Sequence, residues 1–96
     1  MPYYVSLVSW TDQGIRSVKD TPTRAEAFRK AVDRVGGKVI ALLYTMGPYD
    51  AVAVAELPSD EAANEVALRS GMQGNARTIT MKGWTDSDIG KLVQKL

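Results

Sequence analysis

The side chains in this chain best suited to chemistry on a ligand are Tyr4, Ser6, Trp10, Arg24, Tyr44, Tyr49, Asp50, Arg77 and Thr78. A pocket for a small organic molecule needs an apolar, aromatic-rich lining and a few placed polar groups. Tyr4, Trp10 and Tyr44 supply the first, and the hydroxyls of Ser6, Tyr44 and Thr78 supply the second. Arg24 and Arg77 could anchor an acidic ligand, Arg24 near the start of a helix where the dipole also draws anions. Tyr49 and Asp50, in the stretch Gly47-Pro48-Tyr49-Asp50, would sit at the mouth of such a pocket. Each has a plainer reading. Aromatics on a sheet face usually pack in a core or an interface, most arginines are solvated, and Gly/Pro/Asp clusters are ordinary turn chemistry.

The missing residue types narrow the field further. The chain has no His and no Cys. That removes Ser-His-Asp triads and thiol nucleophiles, together with the usual zinc, iron and haem ligands. Catalysis would have to run on Tyr, Arg, Lys, carboxylates or a bound cofactor, and no cofactor is expected. Glu56, Asp60 and Glu61 resemble an acid–base cluster, but Asp60 and Glu61 are better explained as first-turn residues of a helix.

The elements that must position these groups follow from periodicity. Tyr3 to Trp10 reads as a strand, apolar on both faces and therefore central. Thr11 caps a short helical turn, which Gly14 weakens. Thr21 caps the first long helix, with Pro22 in its first turn and an apolar stripe of Ala25, Phe28, Ala31, Val32 and Val35. Gly36-Gly37 stops it. Val39 to Met46 and Ala51 to Leu57 form a hairpin about Gly47–Asp50. Ser59 caps the next helix, whose Ala62, Ala63, Val66 and Ala67 would let it lie close to a sheet, and Gly71 ends it. Ala76 to Trp84 is the fourth strand, and Thr85 caps a last helix with the stripe Ile89, Leu92, Val93 and Leu96. The order βαββαβ plus a C-terminal helix predicts one α+β, ferredoxin-like domain over residues 1–96. Its four-stranded antiparallel sheet would have strands one and three in the centre.

That topology puts the second strand at an edge, with Ile40, Leu42, Tyr44 and Met46 on one face and nothing to cover them. Each large apolar side chain left in water forfeits about 1.5–3 kcal/mol. A two-fold dimer with sheets face to face resolves this, so the chain itself is the expected partner. Twelve basic and eleven acidic residues are spread without a basic run, which argues against nucleic acid. No apolar run approaches the ~20 residues a membrane span needs, and the opening Met1-Pro2-Tyr3-Tyr4 lacks a signal-peptide core. A cytoplasmic protein is expected.

The opening YYVSLVSWTDQG, Arg24 at the helix start, and GPYDAVAVAEL after a long hydrophobic strand together resemble the GYD-domain family, here with Pro48 inserted into the Gly-Tyr-Asp signature. The resemblance spans essentially the whole chain. It implies membership of the dimeric α/β-barrel group, whose members pair ferredoxin-like protomers. They include cofactor-independent monooxygenases, isomerases, haem-binding proteins and amino-acid-sensing domains. Fold does not fix function. The residues favour a homodimeric, non-catalytic module that binds a small organic molecule or simply assembles. The alternative is a cofactor-independent monooxygenase or isomerase acting on a small aromatic substrate, against which the lack of His weighs.

Overall fold

Alternation along Tyr3–Trp10 (β1) does place two apolar faces on one central strand. A computed structural model describes all 96 residues, Met1–Leu96. After β1 come α1 (Asp12–Arg16), a 3₁₀ turn (Val18–Asp20), α2 (Thr21–Arg34), β2 (Lys38–Tyr44), β3 (Ala51–Glu56), α3 (Asp60–Met72), β4 (Ala76–Gly83) and α4 (Asp86–Val93). The sheet is antiparallel with strand order β2-β3-β1-β4, the ferredoxin-like arrangement. No helix is long and apolar enough to cross a membrane.

Register sorts the side chains into two faces. Tyr4 pairs with Ala55 and Lys82, Ser6 with Ala53 and Thr80, and Val8 with Ala51 and Thr78. This face lies beneath α2 and α3. Its core joins Tyr4, Ala55 and Leu57 to Val32 from α2 and to Ala63 and Val66 from α3. The other face carries Val5, Leu7, Val52, Val54, Leu43, Ile79 and Met81, and no element of the chain covers it. Leu43 is 62% exposed and Ile79 53%.

The second strand departs from the simple alternation. A bulge between Val39 and Ala41 sets Val39 opposite Ala55, Leu42 opposite Ala53 and Tyr44 opposite Ala51. Two residues on a bulged strand oppose one on its neighbour, so every side chain before the bulge changes face. Val39 therefore joins Leu42 and Tyr44 under the helices, and Ile40 is displaced from the set it was expected to share. Met46 lies beyond the strand and is almost fully exposed. The bulge also interrupts the ladder on an edge strand, a common way of discouraging unwanted pairing.

The caps mostly follow the sequence. Ser59 Oγ accepts from the Ala62 amide, and Thr85 Oγ1 accepts from the Asp88 amide. Thr21 is an exception: it lies inside the first turn of α2, and its hydroxyl donates to the Val18 carbonyl. Helix α3 runs past Gly71 to Met72, and the chain reverses at Gly74, whose φ is +80°. At α1, Thr11 accepts from the Gly14 amide and donates to the Gly74 carbonyl. The Gln13 amide donates to Gln73 and Asn75. The short helix is thus a clamp on the loop between α3 and β4.

The turn signature has a similar structural duty. Asp50 Oδ2 accepts from the Trp10 amide at 2.8 Å, the Asp50 amide donates to the Val8 carbonyl at 2.8 Å, and its carbonyl accepts from the Thr45 amide. One aspartate thereby ties the β2–β3 turn to the end of β1.

Candidate functional site

The sequence of β3, Ala-Val-Ala-Val-Ala-Glu, alternates in size as well as in face. Its valines take the uncovered side and its alanines, Ala51, Ala53 and Ala55, lie beneath the helices. The helices answer with more small residues, Ala25 and Ala31 from α2 and Ala63 and Ala67 from α3. These short side chains do not draw the layers together everywhere. Between them remains a cavity of about 140 Å³, with Phe28, Leu42 and Val66 also in its lining. The packed core around Tyr4, Val32 and Leu57 closes one end. Trp10, Asn75 and Arg24 stand toward the other, where α1 meets the sheet. Tyr44 and Thr80, both exposed, form the rim.

Six of the expected site residues converge here: Tyr4, Ser6, Trp10, Arg24, Tyr44 and Thr78. Three do not. Tyr49 and Asp50 belong to the β2–β3 turn and contribute no lining. Arg77 pairs with Ser9 on the uncovered face of the sheet, so alternation along β4 points it away from the cavity. The alanine floor, Phe28 and Asn75 also line the cavity, and their side chains carry no chemistry that singles them out in the sequence. The size alternation along β3 is the sequence signal for the floor; Phe28 and Asn75 have no such signal.

The polar groups are few and mostly engaged. Ser6 Oγ and Thr80 Oγ1 lie 3.1 Å apart across β1 and β4. The Arg24 guanidinium donates to the Gly14 carbonyl, Ser17 Oγ and Thr21 Oγ1. Tyr4 buries its ring (5% exposed) and donates its hydroxyl to Asp60 Oδ1 at 2.5 Å. That bond, with burial and the negative charge of Asp60, pushes the Tyr4 phenol up to about 12. The same hydroxyl, together with the Lys82 ammonium 3.2 Å away, holds the Asp60 carboxyl below its usual range. Asp60 is thus more than a helix-start residue: it anchors the tyrosine at the closed end of the cavity. A tyrosine kept protonated this firmly is a poor general base at neutral pH.

This pairing has a pH signature. A phenol whose folded-state pKa is raised contributes stability that is fully present below its unfolded value near 10 and is lost as pH climbs toward 12. Urea unfolding at about pH 9 and about pH 11.5 should show a clear fall in the wild type. In Tyr4→Phe the fall should be smaller, with the contribution of Tyr3, whose phenol Glu56 also raises, still present. Near neutral pH the same variant should lose about 1.5 kcal/mol, the low end for a hydrogen bond to a charged group, because Asp60 is largely solvated. An undiminished alkaline fall in Tyr4→Phe would show that the phenol does not titrate as its partners require.

Known proteins place these features in context. A Thermus thermophilus protein named as a glutamine synthetase and cystathionine beta-lyase binding protein is 27% identical over 90 residues, covering 93% of this chain and 95% of its own. Among solved structures, the feast or famine regulatory protein Rv3291c of M. tuberculosis, complexed with L-methionine, superposes with a TM-score of 0.64 at 17% identity. That match covers 90% of this chain but 54% of the regulator, so the chain spans about half its length. The protein TTHA0845 from Thermus thermophilus superposes with a TM-score of 0.54 at 22% identity over 88% of this chain and 95% of its own. Both structural likenesses speak to the fold alone. The sequence model of the GYD domain family, however, matches residues 4–93. That span begins at the tyrosine closing the cavity and takes in Arg24, the alanine floor, the Gly47–Asp50 turn and α4, so the chain belongs to the GYD domain family.

Proposed function

We propose that the protein is a cytoplasmic, homodimeric binding module that takes up a small organic molecule between its sheet and helices and performs no catalysis of its own. The observation carrying this reading is the cavity left above Ala51 and Ala53, apolar in most of its lining and edged by a few polar groups. Small-molecule sites have that make-up. The structure of a fold relative in complex with L-methionine supports a ligand-binding role for this architecture.

Self-association is supported by the uncovered face. Leu43, Ile79 and Met81 form one apolar surface with the half-buried Val5, Leu7, Val52 and Val54. Contiguous apolar patches of this kind mark interaction surfaces. A two-fold axis through the face would cover it with its own copy.

Native mass spectrometry of the purified protein tests both parts, since it reads assembly and bound mass together. A dimer is expected, and Leu43→Glu combined with Ile79→Glu should weaken association by at least about tenfold, since each buried charge replaces an apolar contact. A wild-type monomer at micromolar concentration would overturn the homodimer. In that case the Thermus relative, named for binding two enzymes, favours a second reading in which the same face docks another protein.

A further inference from the structure

We infer that the cavity selects a small apolar molecule carrying a carboxylate, with the anion seated at Arg24. This rests on the cavity being a ligand site, and it names the class of ligand.

The charge balance of the lining carries the inference. Arg24 and Arg69 are the charged residues that line the cavity, and no Asp or Glu does. Arg69 already has a carboxylate partner, Glu65, at 3.4 Å. Arg24 has none: the ion pairs of the chain are Arg69–Glu65 and Lys82–Asp60. Its hydrogen bonds go to neutral acceptors, the Gly14 carbonyl at 3.2 Å from both Nη atoms, Ser17 Oγ at 3.2 Å and Thr21 Oγ1 at 3.4 Å. A half-buried guanidinium is thus held in place by dipoles while its charge stays uncompensated.

Such an arrangement is prepared for an anion. The Nε–H makes no bond within the chain, and the Thr21 contact is long enough to be exchanged for a better one. A carboxylate accepting from these donors would make charge-assisted bonds, roughly twice as strong as neutral ones. Because the guanidinium is already oriented by the Gly14 carbonyl, little ordering is required on binding. The void of about 140 Å³ sets the size of the remaining body. A dry apolar cavity of ~150 Å³ accommodates benzene. The ligand body is therefore a single ring or a short branched aliphatic chain.

Benzoate and its neutral analogue benzamide separate the possibilities when titrated calorimetrically into the full chain. Wild-type protein should bind benzoate about tenfold more tightly than benzamide, the worth of one charge-assisted contact over a neutral one. Raising the salt concentration should weaken benzoate and leave benzamide unchanged. Arg24→Gln should equalise the two, with its benzamide affinity serving as the control that the cavity still forms. The wild-type salt dependence keeps the test valid should that variant fail to fold. Equal binding of both probes by wild type would overturn the anion preference while leaving the cavity as a ligand site. Failure of both probes to bind would overturn the ligand site and this inference with it.

Discussion

Alanine at Gly14 is expected to lower the unfolding free energy by about 3 kcal/mol, the upper part of the usual overpacking range. A Cβ on Gly14 would stand 1.9 Å from the carbonyl oxygen of Asn75 and 2.8 Å from its carbonyl carbon. Both atoms are backbone, so no side chain can swing aside. Either α1 or the loop before β4 must move, and the bonds that join them would be lost or stretched. These are the Thr11 amide to the Asn75 carbonyl, the Thr11 hydroxyl to Gly74, and the Gln13 amide to Gln73 and Asn75. The sign makes the test sharp. Glycine within a helix ordinarily costs roughly 0.5–1 kcal/mol relative to alanine, so the substitution should stabilise by about that much if space allows. Gly90 in α4 has nothing near its Cβ position, and Gly90→Ala should show that ordinary gain. Urea denaturation of the two variants should move their midpoints in opposite directions. A stabilised Gly14→Ala would mean that α1 does not press on the loop. The effect should reach the cavity too, since the Gly14 carbonyl holds the Arg24 guanidinium.

Gly14 shows where a sequence stops being readable. Its neighbour Asn75 lies far along the chain, and no local pattern links the two. From sequence, Gly14 merely weakens a short helical turn. The same holds for Asp50: Gly47–Asp50 is legible as a turn, but the bond from the Trp10 amide is a tertiary fact. Patterns with a fixed period fared better. Alternation along β1 makes both its faces apolar, as the structure has it, and the three-and-four spacing of Phe28, Ala31, Val32 and Val35 marks the buried stripe of α2. Alternation failed at β2, because a bulge resets the face of every residue before it and has no signature in Val39-Ile40-Ala41.

The cavity was half legible. Most of its polar and aromatic lining could be named from β1, β2 and β4, since residues on one face of a sheet share whatever lies above it. Its existence could not. The small residues of α3 imply close approach to the sheet if the opposing strand is large, and a void if that strand is also small. Choosing between these requires knowing that Ala63 and Ala67 face the same space as Ala51, Ala53 and Ala55 rather than the valines of β3. The apolar stripe of α4 poses the complementary problem. Ile89, Leu92 and Val93 share one apolar stripe, yet they remain exposed, with no element of the chain packed closely on them.

Leucine at position 53 should abolish uptake of benzamide and benzoate alike while raising stability by about 1 kcal/mol. Enlarging a buried alanine normally costs about 1–3 kcal/mol, because packed neighbours must move. Ala53 is 4% exposed, so its side chain is buried, but what it faces is empty volume. It lies between Ser6 on β1 and Leu42 on β2, under the span where the helices leave their gap. An isobutyl group there would occupy the void, replacing missing dispersion contacts at a gain of roughly 24 cal/mol per Å³ filled. Ala55, one pleat along the same face, gives the contrast. It belongs to the packed cluster with Tyr4, Val32 and Leu57, and Ala55→Leu should destabilise by about 1–3 kcal/mol. Thermal unfolding with and without each probe reads both quantities: Ala53→Leu should melt higher than wild type and lose any ligand-induced rise. Arg24→Gln should keep the benzamide-induced rise and lose only the extra rise given by benzoate. A stable Ala53→Leu that still binds both probes would move the ligand site out of the cavity, whatever its volume.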